Sequence, residues 1–211
     1  MTTTAPGKAA ETSTLSYGPC RVAFGRVPVV TVGDVDLSRA ASHAFRHEPW
    51  VYELELDEEG WVPVDQLLAA LNEKGGAWRS VGRPALRQML RSATKRRHEL
   101  RDDRIRALYG HSVPGRIQRE EAAPPGLLFH GTAPETWRQL QINGLLPMGR
   151  QFVHLSVDRE TAASVGGERV PIRSFFPLAP AAVLSGAKVY QGNELVWLAD
   201  AVSAQFILPT T

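Results

Sequence analysis

"RPALRQMLRSATKRRHELRDDRIRAL", residues 83–108, decides the architecture of the first half of the chain. Pro84 suits the first turn of a helix, where its missing N–H is not needed. Leu86, Met89, Leu90 and Ala93 recur at helical spacing as a stripe to bury, so the pattern predicts a helix over 83–97. "HELRDDRIRAL" then reads as a hairpin turned at Arg101–Arg104. Arg87, Arg91 and Lys95 fall at i, i+4 and i+8 on the solvent side of the helix. Residues 74–106 hold eleven Lys and Arg against Glu99, Asp102 and Asp103, a local excess of eight in a chain of net charge +2. Such a face can bind an anion, or it can be no more than a solvated surface.

Two helices precede this one. "DLSRAASHAFRH", 36–47, has apolar residues at 37, 41 and 45 and a capping Asp36 or Ser38, and it ends at Arg46-His47 just before Pro49. "LELDEEGWVPVDQLLAAL", 54–71, reads as a strand, a turn at Gly60 and a helix opening near Asp65, with Leu67, Leu68 and Leu71 inward. Three helices followed by a hairpin is the order of a winged helix. Upstream, 1–16 offers almost nothing to bury and is expected to be disordered, while 20–33 alternates as an edge strand or hairpin limited by Pro28.

"PGRIQREEAAPPG", 114–126, is rich in Pro, charge and Ala and is the best linker candidate. Beyond it the texture changes. "GLLFHGT", "QFVHLSVD", "AAVLSG", "KVYQG", "ELVWLADAV" and "AQFIL" read as short strands, and "APETWRQLQING" and "DRETAASVG" as helices stopped by glycine. The fold class expected is α+β, divided as an extension over 1–36, a winged-helix-like lobe over 37–115, a linker over 116–126 and a strand-rich lobe over 127–211.

With 211 residues, 43% of them hydrophobic, the chain can bury one large core or two small ones. The lone cysteine, Cys20, excludes an internal disulfide and a cysteine-based zinc site, so no metal and a reducing cytoplasm are expected. No signal-peptide pattern and no run of about 20 apolar residues is found, which points to a soluble protein without a membrane partner. A Gly-rich phosphate loop is missing too, which argues against Rossmann and P-loop nucleotide sites.

His111 in "GHS", His130 in "FHGT" and His154 in "VHLS" lie beside glycine or hydroxyl residues. Singly, each reads more readily as a structural histidine. Taken with Arg46, His47, Arg106 and Arg150, they suggest a site that holds a phosphate or steadies a phosphoryl transition state, with histidine as acid and base.

At this point the chain resembles the NAD-dependent RNA 2′-phosphotransferases, from about residue 37 to 208. "LSRAASHAFRH" resembles their opening helix, "LELDEEGWVPVDQLLAAL" their "L-x-L-D-x-x-G-W-V-x-V-x-x-L-L" segment, and "RIRALYGHS" their "I-R-A-x-Q-G-H-S". "LLFHGTAPETWRQLQINGLLPMGRQFVHLSVD" is similar to "L-Y-H-G-T … I-x-x-x-G-L-x-x-M-x-R-x-x-V-H-L-S", with "ASVG" and "VWLAD" following in order. The resemblance implies a winged-helix RNA lobe and an ADP-ribosyltransferase-like lobe that takes NAD as co-substrate. It implies that an internal RNA 2′-phosphate attacks the nicotinamide riboside carbon, and that ribose O2″ then resolves the RNA-phospho-ADP-ribose. The products are 2′-hydroxyl RNA and ADP-ribose 1″,2″-cyclic phosphate. Arg46, His47, Arg106 and Arg150 would be catalytic, His130, Gly131, Thr132, His154 and Ser156 would hold NAD, and Arg87, Arg91 and Lys95 would bind RNA. A monomer is expected.

Three positions depart from the family pattern. Tyr109 stands where the family has Gln, Phe152 replaces a frequent His, and "NELVWL" carries one extra residue, which places Glu194 near the region where protein ADP-ribosyltransferases keep a catalytic acid. Two other readings compete. One is an ADP-ribosyltransferase that modifies terminal phosphates of RNA or DNA and stops after the first step. The other is a non-catalytic winged-helix nucleic-acid-binding protein whose second lobe senses NAD.

Overall fold

The computed structural model describes residues 1–3, 31–165, 174–178 and 187–207. The strand or hairpin read over 20–33 lies outside them except for its last three residues, which form no strand, and Cys20, most of 1–16 and the strand read over 181–186 lie outside them as well. Mixed helix and sheet, α+β, is what the described residues form.

The first unit runs α1 (Asp34–Arg46), β1 (Val62–Pro63), α2 (Val64–Asn72), α3 (Arg83–Ser92), β2 (His98–Arg101) and β3 (Arg104–Ala107). Its antiparallel sheet has the order β1-β3-β2. α1 buries Leu37, Ala41, Ala44 and Phe45 on one face, as the spacing predicts. They meet Leu67 and Leu71 of α2, Leu86 and Met89 of α3, and Ile105 of β3 in one core. Fully burying a side chain such as Phe45 is worth about 1.5–3 kcal/mol.

Four local expectations are corrected. α1 has Gly33 as its N-cap with no side-chain cap, so Asp34 and Asp36 lie in the first turn, where they complement the helix dipole. No strand forms over 53–57, because Asp57 Oδ1 instead accepts from the N–H groups of Glu59 (3.0 Å) and Trp61 (2.8 Å) to tie the turn at Gly60. α3 stops at Ser92, not near 97, and leaves Ala93 exposed and Lys95 beyond the helix. At the stop Ala93 turns extended and the Ser92 hydroxyl donates to Asp34 (2.6 Å); the chain then crosses to α1, where His98 meets Ser42 Oγ at 3.1 Å and Phe45 edge-on. "AQFIL" makes a 3-10 turn at Ala204–Phe206 rather than a strand.

The second unit runs β4 (Leu128–Thr132), α4 (Trp137–Asn143), β5 (Val153–Ser156), α5 (Arg159–Val165), β6 (Ser174–Leu178), β7 (Val189–Gln191) and β8 (Val196–Ala199). Its five-stranded sheet is ordered β6-β4-β5-β8-β7, and all the described pairings are antiparallel. β6 is a strand that the sequence pattern does not announce. Leu128, Leu145, Val153, Leu155, Val189 and Trp197 form the core here.

The segment read as a linker is held to both units. Gln118 N bonds Glu58 O at 2.7 Å and Arg119 Nη2 bonds Ala107 O at 3.2 Å on one side, while Ala122 N bonds Val189 O at 2.9 Å on the other. Leu108, Tyr109, Phe152, Tyr190, Val196 and Leu198 form an apolar cluster between the units. No helix among the described residues is long and apolar enough to cross a membrane.

Candidate active site between the two units

α1 ends because Pro49 cannot continue it, and the ending leaves the Arg46 carbonyl without a helical partner. Ser112 takes that carbonyl with its N–H (2.8 Å) and its hydroxyl (3.3 Å). The same hydroxyl lies 2.9 Å from His47 Nδ1. Since the Ser112 proton goes to the carbonyl, Nδ1–H donates to Ser112 Oγ and His47 keeps an acceptor at Nε2. Burial, then the charges of Arg46, His43 and Arg150, lower the His47 pKa, so the ring is neutral at pH 7.

Gly110 lets the chain pass this close. Its φ of +91° is one that L side chains avoid, and a Cβ there would meet Arg46 Cδ and Nη1 at 3.4 Å. Arg46 donates from Nη2 to the Arg97 carbonyl (3.3 Å) and lies over the Tyr109 ring at 5.1 Å. Burial above all, with Arg97 and Arg150 adding to it against Tyr109, lowers its pKa to about 10, which leaves it charged at neutral pH.

Arg150 arrives from the other unit on the turn before β5. Gln151 beside it spans the junction: its N–H bonds His111 O (2.9 Å), and its amide donates to the carbonyls of Val113 (2.9 Å) and Gly115 (2.7 Å). Gly144 opens the loop, where a Cβ would sit 2.2 Å from Val202 O. Arg150 Nη1 is 3.2 Å from His154 Nδ1. Arg46, His47, Arg97 and Arg150 thus converge, and among the described residues none of the three arginines has a carboxylate ion-pair partner. Converging cations without acids are suited to a phosphate.

Arg106, read with them as part of the clamp, is held elsewhere in this structure. Its guanidinium pairs with Glu99 (2.8 Å) and Glu59 (3.2 Å) and lies 4.2 Å from the centre of the Trp61 ring. The hairpin register places Glu99 directly opposite Arg106, which fixes this pairing. Arg97, which sequence reasoning does not single out, stands near Arg46 instead. The signal for it lies in the basic run before the hairpin, where Arg97 is adjacent to the buried His98.

A cleft of about 400 Å³ lies beside the clamp in the second unit. His130, Gly131, Thr132, Arg150, His154 and Ser156 all line it, so the five residues read as NAD-holding are together. His130 Nδ1 donates to the His154 carbonyl (3.0 Å), which leaves its Nε2 as an acceptor. His154 Nε2 is buried without a partner. Burial is the main cause that lowers the pKa of His130, and that of His154 to about 3. A cleft of this size, walled by apolar residues such as Leu140, Leu145 and Phe152 and by polar ones such as Thr132, Gln139, Asn143 and Arg150, has the character of a small-molecule site.

Arg87 and Arg91 are exposed on α3, with Lys95 in the following segment. Glu194 pairs with Arg96 and does not line the cleft. Tyr109 and Phe152 both lie in the apolar cluster between the units. Among the described residues no three His, Cys, Asp or Glu gather as a metal site.

A family model described as RNA 2′-phosphotransferase, Tpt1/KptA family, matches residues 32–201. A probable RNA 2′-phosphotransferase of Bacillus thuringiensis subsp. konkukian (strain 97-27) is 48% identical over 174 residues, covering 82% of this chain and 93% of the relative. One of Acetivibrio thermocellus is 46% identical over 173 residues, with 81% and 94% covered. One of Streptomyces griseus subsp. griseus is 37% identical over 183 residues, with 82% and 95% covered.

Proposed function

The chain belongs to the RNA 2′-phosphotransferase, Tpt1/KptA family, and on that premise we propose that it removes an internal RNA 2′-phosphate by transferring it to NAD. The observation that carries this reading is the gathering of Arg97 and Arg150 around Arg46, none of the three ion-paired to a carboxylate among the described residues, beside His47 and at the edge of the cleft that holds His130 and His154. The unpartnered Nε2 of His154 in the cleft wall fits a ligand rich in oxygen acceptors, such as NAD.

In the first step a phosphate oxygen bonds to the ribose C1″ and the bond to nicotinamide breaks. The electron pair neutralises the pyridinium, so no proton is required. Here the arginines hold the phosphate, and the walls around His130, Thr132 and Ser156 hold the co-substrate. In the second step O2″ bonds to phosphorus while the bond to the RNA O2′ breaks. His47 Nε2 takes the O2″ proton and returns one to the leaving O2′. The charge gathering on phosphorus is met by Arg46, Arg97 and Arg150.

The first unit, with helices and sheet in the order α1-β1-α2-α3-β2-β3 and strand order β1-β3-β2, supports a winged-helix RNA lobe. The second is read as an ADP-ribosyltransferase-like NAD lobe, with the division within 116–126. Arg87, Arg91 and Lys95 contact RNA phosphates. The protein works as a cytoplasmic monomer without a metal. The reading in which it stops after ADP-ribosylating a terminal phosphate is not favoured, since Glu194 pairs with Arg96 outside the cleft.

Incubation with NAD and an oligonucleotide bearing one internal 2′-phosphate tests the proposal. Nicotinamide, 2′-hydroxyl RNA and ADP-ribose 1″,2″-cyclic phosphate should appear together. Intact substrate after complete mixing would overturn it.

A further inference from the structure

We propose that Tyr109 is a positioning residue for Arg46: the face of its ring, and not its hydroxyl, aims the guanidinium into the phosphate clamp. This rests on the phosphotransferase reading.

Arg46 is deeply confined and only lightly tied. Its Nη2 reaches one carbonyl at 3.3 Å, and its Nε is buried without a hydrogen-bond partner. Arg97 and Arg150 are close enough to oppose its charge. Something must hold it there. A carboxylate would hold it well but would cancel the charge and repel the phosphate. An aromatic face attracts a guanidinium without neutralising it and leaves the N–H edge open for bidentate donation to an anion. Tyr109 supplies that face at 5.1 Å.

The ring is itself fixed. Only 7% of Tyr109 is exposed, and it packs with Leu108, Phe152, Tyr190 and Val196 in the cluster that joins the units. Behind Arg46, Gly110 leaves a gap no larger than a methyl group, since a Cβ there would meet Cδ and Nη1 at 3.4 Å. The same ring meets His154 in an edge arrangement, with centroids 5.9 Å apart. One side chain thus touches both the phosphate clamp and the wall of the neighbouring cleft.

The test uses the full chain, NAD and an oligonucleotide with one internal 2′-phosphate. Tyr109→Leu fills much of the slot without a π face and should lower kcat about tenfold. Tyr109→Phe keeps the face and should rescue the rate, which a hydroxyl-based role could not do. In NMR, ring shielding of the Arg46 Nε–H should be present in the wild type and in Tyr109→Phe, and absent in Tyr109→Leu. If the leucine variant does not fold, Tyr109→Met takes its place. A wild-type rate and an unmoved resonance in the aliphatic variant would overturn the proposal, and so would a Phe variant as slow as Leu. A wild type that consumes no substrate would sink the phosphotransferase reading, and the Nε–H resonance would still decide the role of Tyr109.

Discussion

Arg150 Nη1 lies 3.2 Å from His154 Nδ1, and this approach sets the tautomer of the histidine. A guanidinium can only donate, so Nδ1 accepts and the proton belongs to Nε2. That nitrogen is buried with no acceptor of its own, and burial followed by Arg150 pushes the ring pKa down to about 3. A neutral donor in a cleft wall awaits a ligand oxygen. His154→Phe should weaken NAD binding by about 10–100-fold, the worth of one hydrogen bond to a charged acceptor. Isothermal titration checks this, and unchanged affinity would remove His154 from the site.

Arg106 should behave as a structural residue. Both it and Glu99 are largely shielded, with side chains 13% and 17% exposed, so removing the arginine leaves Glu99 only the longer pairing to Arg101 (3.4 Å). Arg106→Ala is expected to cost about 1–3 kcal/mol of stability. Turnover per folded molecule should stay close to wild type. Thermal melts and single-turnover rates on the same sample separate the two effects, and a slow but fully stable variant would return Arg106 to catalysis.

The fold is legible in the sequence wherever periodicity and chain punctuation agree. The apolar spacing of α1 and its stop before Pro49 put Arg46-His47 at a helix end, and Pro84 opens α3. Gly144 after α4 is equally informative. Legibility ends where tertiary contacts override the local pattern: α3 ends at Ser92, tied to Asp34, and the chain that follows packs His98 against α1, which takes Lys95 off the helix. The pairing of Arg106 is legible by a different route. A count of arginines does not say which are already paired, yet a hairpin turned at Asp102-Asp103 sets Glu99 opposite Arg106, so that neutralisation is derivable from the register. Strand β6, "SFFPL", carries a proline that disguises it, and the pairing of Pro177 with Phe129 is set by the sheet.

Acid should destabilise the protein well before its carboxylates titrate. Burial, the largest cause in each case, lowers the pKa of His98, His111 and His154 to about 3. The unfolded chain takes up these protons near pH 6.5, whereas the folded protein does not until about pH 3, so stability is full above 6.5 and falls as pH drops between those values. Each ring contributes up to about 1.4 kcal/mol per pH unit in that window. The melting temperature should therefore be flat between about pH 7 and 8 and decline below about 6.5. A melting temperature that holds from about pH 7 to 5 would mean that these rings accept protons in place.

RNA binding is expected to depend on Arg87, Arg91 and Lys95. The hairpin cations Arg101 and Arg104 are paired with Glu99 and Asp57, whereas Arg87 and Arg91 are exposed on α3 and have no carboxylate partner among the described residues. Replacing all three by Ala should weaken RNA affinity and leave NAD affinity alone. The slope of log affinity against log salt should flatten by about 0.7 for each backbone phosphate of single-stranded RNA that the variant no longer neutralises. An unchanged slope would place the RNA on another face.

Arg150 separates the two chemical steps. Attack on NAD asks mainly for a bound phosphate and a departing nicotinamide. Transesterification gathers further negative charge on phosphorus, and so asks more of every donor aimed at it. Removing one such donor typically slows a reaction by about 10²–10³. In Arg150→Ala the second step should therefore slow more than the first, and RNA carrying phospho-ADP-ribose should accumulate as a distinct mass. Arg97→Ala should act in the same direction, since Arg97 stands beside Arg46. Arg106→Ala should build up none of this species, which makes it the internal control. The intermediate would also exclude a protein that only senses NAD. If Arg150→Ala slows both steps equally, the arginine serves ground-state binding, consistent with its approach to His154, and the charge-stabilising role belongs to Arg46 and Arg97 alone.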